Sequence, residues 1–277
     1  MKKKVALHNL GCKVNSYELE AMQQLLEQAG YEIVPFEPGA DVYVINTCTV
    51  TNIADRKSRQ MLHKAKKMNP GAVVVATGCY VQTDEGKLEK DEAVDLVLGN
   101  NQKKNIVEVL AEYEKEHQRQ AHIIKINQTK EYEELEISRT AEHVRAYIKV
   151  QDGCNQFCTY CIIPKLRGSY RSHSMDYLIK QAESLAAQGV KELNIVAQET
   201  TVYGTDLYNG QKMLPELLRR LCRIEGISWI RVLYCYPEEI NEELIQVIKE
   251  EPKICHYLDL PIQHGSDAVL KRMGRRT

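Results

Sequence analysis

Over its first hundred residues the chain alternates short, β-branched apolar runs with longer amphipathic ones, and that rhythm most restricts how it can fold. The runs VALHNL (5–10), YEIV (31–34), DVYVINT (41–47), AVVVATG (72–78) and VDLVLG (94–99) predict strands. Between them, SYELEAMQQLLEQAG (16–30) and ADRKSRQMLHKAKKM (54–68) carry apolar residues at helical spacing. Ser16 is the N-cap candidate of the first helix and Gly30 its stop. This βαβ rhythm implies an open parallel sheet.

A charged stretch at 112–142 reads as a linker between this block, residues 1–111, and a second one, 143–277. In the second block RAYIKVQ (145–151), ELNIVAQ (192–198), WIRVLYC (229–235) and YLDLPIQ (257–263) predict strands. Helical patterns at 175–188, 214–223 and 241–250 separate them. The chain is therefore expected to be α/β, an N-terminal open parallel-sheet domain followed by an incomplete β/α barrel. Four strand–helix units do not close a barrel, so the chain is expected to be cut short at GRRT.

With 37 basic and 38 acidic residues there is no global field, so any contact with nucleic acid has to come from a local basic patch. The start MKKKVALHNLG turns polar too soon for a secretory signal, and no stretch approaches 18 apolar residues. No membrane partner and a cytoplasmic location are expected. Nine cysteines in such a chain do not read as structural disulfides, because the cytosol keeps thiols reduced. Metal, catalysis or burial has to account for them.

Cys12, Cys48 and Cys79 each follow a predicted strand. Ligands gather outside the carboxyl ends of parallel strands, so three thiols distant in sequence can meet at one edge. The alternative, three buried small hydrophobes, explains each singly better than all three together. Cys154, Cys158 and Cys161, in GCNQFCTYCIIP, follow another strand. Zinc would want a fourth ligand at matching spacing, and only the isolated His173 lies near. A redox CxxC would leave Cys154 unexplained. Three close thiolates suit a 4Fe-4S cluster with one iron left open, and taken alone the motif leans that way.

CxxxCxxC after the first strand of a β/α series, with an aromatic before the last cysteine, resembles the signature of the radical S-adenosylmethionine (SAM) enzymes. Together with the upstream GCKVNSYE, NTCTVTN and TGCYVQ, the chain resembles the radical SAM methylthiotransferases over nearly all its length. The resemblance implies two 4Fe-4S clusters. The one on Cys154, Cys158 and Cys161 binds SAM and yields a 5′-deoxyadenosyl radical; the one on Cys12, Cys48 and Cys79 carries the sulfur to be inserted. It also places SAM against Tyr160, Gln198, Glu199 and Gln263, with His264 beside them, and implies an electron donor such as flavodoxin or ferredoxin and a monomeric enzyme. No catalytic residue beyond the cluster ligands is expected. Two open clusters need to lie close, since a carbon radical has to reach its sulfur before it is quenched.

Residues 1–164 resemble the branch that modifies threonylcarbamoyladenosine beside the tRNA anticodon. Residues 165–277, with RGSYRS, VAQETTVYGTDLYNG and WIRVLYCYPEEI, resemble the branch that methylthiolates an aspartate β-carbon of a ribosomal small-subunit protein. The change falls at CTYCIIP, which both share, so the chain reads as a candidate chimera. It also ends before the small C-terminal RNA-binding β-barrel of family members, and an inactive fragment or a metal-binding module without radical chemistry is the competing reading. The tRNA is the favoured partner. Arg56, Lys57, Arg59, Lys64, Lys66 and Lys67 load one helix for phosphate contact, against the plainer reading of a solvated face. Arg167 and Arg171 are read as candidates to meet an anionic group, against the plainer reading of exposed arginines, Cys222, Cys235 and Cys255 as inert buried thiols, His8 as a structural histidine and Trp229 as core.

Overall fold

The computed structural model describes residues 2–83, 86–135, 137 and 144–276. It divides into two compact units, Met1–Thr129 with Glu133–Glu136, and Lys130–Tyr132 with Ile137–Thr277.

The first unit is built on β1 (Lys4–Asn9), β2 (Glu32–Val34), β3 (Val42–Thr47), β4 (Val73–Gly78), β5 (Leu96–Leu98) and β6 (Gln120–His122). They pair in the order β2-β1-β3-β4-β5-β6, each pair parallel. The helices α1 (Lys13–Gln28), α2 (Asn52–Met68), α3 (Cys79–Thr83) and α4 (Ile106–Glu116) make the connections. Every residue of β3 is buried because both faces of the sheet are covered. Tyr43 and Ile45 pack with Leu62 and Ala65 of α2. Val42 and Val44 pack with Met22 and Leu26 of α1 and Leu110 of α4. Each such side chain contributes roughly 1.5–3 kcal/mol on burial.

Two expectations change here. The first helix begins at Lys13, with Cys12 as its N-cap, so Ser16 lies inside the first turn. The strand turns into the helix earlier because Asn15 fastens the junction, donating to the carbonyls of Leu10 (2.9 Å) and Thr47 (3.0 Å). Secondly, the 112–142 stretch contains the end of α4 and the whole of β6, which pairs with β5, so its first part belongs to the first unit. α4 is polar there because only its Ile106, Val109 and Leu110 are buried. Residues 136 and 138–142 of that stretch lie outside the described residues.

The second unit carries β7 (Arg145–Lys149), β10 (Glu192–Val196), β11 (Trp229–Val232) and β12 (Ile254–Leu258) in a parallel sheet ordered β12-β11-β10-β7. A short antiparallel pair, β8 (Gln151–Asp152) with β9 (Arg171–Ser172), stands beside it. α6 (Met175–Ala187), α7 (Leu214–Cys222) and α8 (Glu242–Glu250) link the sheet strands, while α5 (Ile163–Arg167) and α9 (Asp267–Arg272) are short. Ile148, Leu193, Ile195, Ile230 and Val232 are buried.

The opposite face of this sheet is polar. Glu192 takes Arg145 of β7 and Arg231 of β11, both at 3.1 Å. Burial pushes its carboxyl up, but the two arginines outweigh it and hold it below the usual range. Trp229 is in register with Glu192 and 59% exposed, so it is not core. The last strand is 254–258 rather than 257–263: Lys253 accepts from Ile230 N (2.8 Å), and Pro261 cannot donate to a ladder.

Candidate metal centres and ligand cleft

The order β2-β1-β3-β4-β5 is the flavodoxin-like one, in which the chain reverses direction across the sheet between β1 and β3. Ligands bind such sheets at that switch point, outside the carboxyl ends. Cys12 follows β1, Cys48 follows β3 and Cys79 opens α3 directly after β4. The fold therefore brings all three to one edge, over three adjacent strands. Cys12 is exposed, and Cys48 and Cys79 are buried.

The local packing is tight. Gly11 has φ +117°, and a Cβ there would stand 3.0 Å from Cys48 Cβ and 3.1 Å from its Sγ. Ser58 of α2 brackets Cys48, accepting from its N–H (3.0 Å) and donating to its carbonyl (2.8 Å). At the same strand ends Asn9 Oδ1, Asn46 Oδ1 and Thr77 Oγ1 are buried without a hydrogen-bond partner. Buried polar atoms are nearly always satisfied, so this edge has the character of one completed by a polar or charged group.

Cys154, Cys158 and Cys161 stand on the excursion between β8 and β9. Its base is closed by Cys154 N donating to the Gly168 carbonyl (3.1 Å), and by Gly153 N donating to Asp152 Oδ1 (3.0 Å) and Gln198 Oε1 (2.9 Å). Gly153 has φ +82°, and a Cβ there would fall 2.2 Å from the Ser169 carbonyl oxygen. Only glycine fits. Asp152 lies among the buried Lys149 (3.4 Å), Arg167 (3.4 Å) and Arg171 (3.8 Å). Arg167 and Arg171 are thus not exposed arginines; they anchor the root of the loop.

All three thiols of the loop are partly exposed. Burial pushes Cys154 up to about 12, and Glu199, Cys161 and Cys158 push the same way. Cys161 is raised by burial and by Cys158. The raised Cys154 and Cys161 thiols hold their protons more firmly than a free cysteine, and a metal has to displace those protons to bind.

Among the described residues no three His, Cys, Asp or Glu side chains converge as ligands of one ion. A cubane distributes its protein ligands over different irons, so its thiolates surround it rather than meet at a point. Three all-sulfur donors without a fourth, on a partly open loop, fit such a cluster.

A cleft of about 350 Å³ opens beside this loop, lined by Gln156, Glu199, Lys212 and Glu239 among others. Gln156 Nε2 donates to both Glu199 and Glu239, each at 3.1 Å. Burial raises the Glu199 carboxyl, against hydrogen bonds from Thr201 and Gln156 that lower it. Of the four residues expected near SAM, Glu199 lines the cleft. Gln198 braces the loop base instead. Tyr160 (49% exposed) and Gln263 (exposed, φ +63°) stand outside the lining.

Sequence reasoning passed over Tyr236, whose hydroxyl is 3.9 Å from Cys158 Sγ, and Arg275, which stacks on it. The one signal in the sequence was position, since Tyr236 follows the carboxyl end of β11. Cys222 and Cys235 are buried, burial pushing their thiols up to about 11 and about 12. Cys255 is only half-buried.

Comparison with known proteins defines the class. Residues 4–99 match uncharacterized protein family UPF0004, and residues 148–277 match the radical SAM superfamily. The chain is similar to the ribosomal protein uS12 methylthiotransferase RimO of Lachnoclostridium phytofermentans, 45% identical over 99% of this chain and 62% of that protein. It is similar to the threonylcarbamoyladenosine tRNA methylthiotransferase MtaB of Bacillus subtilis, 44% identical over 98% of this chain and 60% of that protein. The fold resembles the radical SAM methyltransferase TsrM from Kitasatospora setae, with a TM-score of 0.65 at 16% identity, over 97% of this chain and 61% of that one.

The chain is a two-domain α/β protein in which a parallel-sheet domain that matches UPF0004 precedes a domain that matches the radical SAM superfamily. Its curated relatives at 41–45% identity over nearly all of this chain are methylthiotransferases, and the chain is similar to both the ribosomal-protein and the tRNA kind. It spans about three fifths of the length of the curated relatives it matches. Both kinds of relative match over 98–99% of this chain. No helix among the described residues is long and apolar enough to cross a membrane.

Proposed function

We propose that this chain is the catalytic part of a cytoplasmic radical SAM methylthiotransferase that inserts a methylthio group into a C–H bond of threonylcarbamoyladenosine in tRNA. The observation that carries the reading is that every cysteine of the two sets stands beyond the carboxyl end of a strand. Cys154, Cys158 and Cys161 would hold a 4Fe-4S cluster with an open iron, and Cys12, Cys48 and Cys79 a second cluster. Bound on their cysteines, the clusters would supply the one electron that cleaves SAM to methionine and a 5′-deoxyadenosyl radical, and the sulfur that replaces hydrogen on the substrate carbon, a further SAM giving the methyl. The electron comes from a small carrier such as flavodoxin or ferredoxin.

The chain's own residues prepare this chemistry. Gly153 and Gln198 hold the root of the loop that carries the three thiols. Glu199, its carboxyl raised by burial, lines the cleft and offers a negative partner to a cation there, which suits the ammonium group of SAM. Asn9, Asn46 and Thr77 offer unsatisfied polar atoms at the edge where Cys12, Cys48 and Cys79 stand.

Support for tRNA comes from α2. Arg56, Lys57, Lys64 and Lys67 are exposed, while Arg59 pairs with Asp55 (3.0 Å) and Lys66 with Asp95 (2.8 Å). Val50 and Ile53, 53% and 62% exposed, lie between Cys48 and that basic face and offer apolar contact to a splayed base. A second reading is methylthiolation of an aspartate β-carbon in a ribosomal small-subunit protein, favoured by the equally similar uS12 relative. Mass spectrometry of tRNA and ribosomal protein, from a host lacking both activities and expressing the full-length gene, separates them. A methylthio group on threonylcarbamoyladenosine is the expected result, and the modification on ribosomal protein alone overturns the tRNA assignment.

A further inference from the structure

The cluster loop is also gripped from the far side. Thr159 N donates to the Met273 carbonyl (2.9 Å) and Thr159 Oγ1 to the Arg272 carbonyl (3.3 Å), which ties the loop to the end of α9. The next turn carries Arg275, whose side chain is only 3% exposed. Its guanidinium is held by Glu238 (3.1 and 3.3 Å) and by the Pro261 carbonyl (3.0 Å). In that position its central carbon stands 3.9 Å from the ring centroid of Tyr236. The Tyr236 hydroxyl in turn is 3.9 Å from Cys158 Sγ, with Tyr160 close to both Cys158 and Arg275.

A buried arginine costs solvation and persists only with partners that fix it. Glu238 and Pro261 supply those partners, and what the fixed charge then faces is an aromatic ring whose hydroxyl touches a cysteine of the metal loop. A cation over a ring draws on its electron density and strengthens the O–H as a donor. Hydrogen bonds and positive charge beside cluster sulfurs stabilise the added electron and raise the reduction potential.

We propose that Tyr236 and Arg275 are positioning residues that tune the cluster: Tyr236 donates O–H···S to Cys158, and the buried Arg275 fixes and polarises that donor. This rests on the reading that Cys154, Cys158 and Cys161 hold a 4Fe-4S cluster. No proton or electron is transferred in the step; the pair sets how readily the cluster accepts one electron.

The test is an anaerobic redox titration of the reconstituted protein followed by electron paramagnetic resonance, with total iron measured in each sample. The background is the variant lacking Cys12, Cys48 and Cys79, so that one cluster is read. Tyr236→Phe is expected to keep its iron and to shift the midpoint to a more negative potential. Arg275→Gln is expected to shift it the same way, and Arg275→Lys to fall between. Full iron with an unchanged or more positive midpoint in Tyr236→Phe overturns the proposal. So does loss of iron in that variant, because a hydroxyl that only tunes the cluster is not needed to retain it. If the parent itself takes up no 4Fe-4S cluster, the functional reading falls and this inference with it; if the parent loads and the midpoint stays put, only the inference falls.

Discussion

The cysteines proposed to carry the chemistry could be singled out because position in a parallel sheet has a physical meaning. One rule places Cys12, Cys48 and Cys79 together, and β1, β3 and β4 are indeed neighbours. Residues whose role depends on a partner far along the chain were invisible. Glu18 and Lys103 form a fully buried pair (3.1 Å), and Tyr236 meets Cys158 across 78 positions. Gly153 shows how sharply one position is constrained. Its left-handed backbone costs any other residue about 1–2 kcal/mol, and the added Cβ would collide with the Ser169 carbonyl. Gly153→Ala is expected to lose more than ~2 kcal/mol locally and to abolish iron binding by this loop, measured as iron content at unchanged far-UV circular dichroism. Asp152→Ala removes the carboxylate shared by Lys149, Arg167 and Arg171 and is expected to cost about 3–5 kcal/mol in denaturant unfolding.

Elements with an apolar core face were legible, and those without one were not. β3 and β4 are nearly all buried and declared themselves, whereas β6 is QAH, an edge strand with no apolar run to betray it. The start of α1 lies earlier than its sequence suggests because Cys12, which caps nothing with its side chain, occupies the N-cap. α2 begins close to expectation, since Thr51 accepts from Ala54 N (3.1 Å) in an ordinary cap. Its charged face could be counted from sequence, but only the structure separates the exposed Arg56, Lys57, Lys64 and Lys67 from the paired Arg59 and Lys66. If that face binds phosphate, replacing those four by Gln lowers the slope of log affinity against log salt by about 0.7 for each phosphate that is no longer neutralised. Stability should move by no more than ~0.5 kcal/mol per exposed site. An unchanged slope in a filter-binding titration with tRNA returns α2 to a solvated face.

At the scale of the whole molecule, each set of three cysteines stands on its own sheet. Cys12, Cys48 and Cys79 follow strands of Met1–Thr129, and Cys154, Cys158 and Cys161 sit on the excursion of the second unit. Ligands carried by separate cores should load separately, because losing one set leaves the other's strands and packing intact. Anaerobic reconstitution is expected to give about eight irons per chain, two clusters of four. Cys12→Ala, Cys48→Ala and Cys79→Ala together should leave about four, with the radical SAM loop still filled and SAM still cleaved to 5′-deoxyadenosine. The complementary triple variant at Cys154, Cys158 and Cys161 should also keep about four irons but cleave no SAM. Wild-type protein that saturates at about four irons, and keeps them when Cys12, Cys48 and Cys79 are replaced, would remove the second cluster and with it the sulfur donor. Stoichiometric zinc, with no absorption of an iron–sulfur chromophore, would replace both clusters by a structural metal and sink the radical reading altogether.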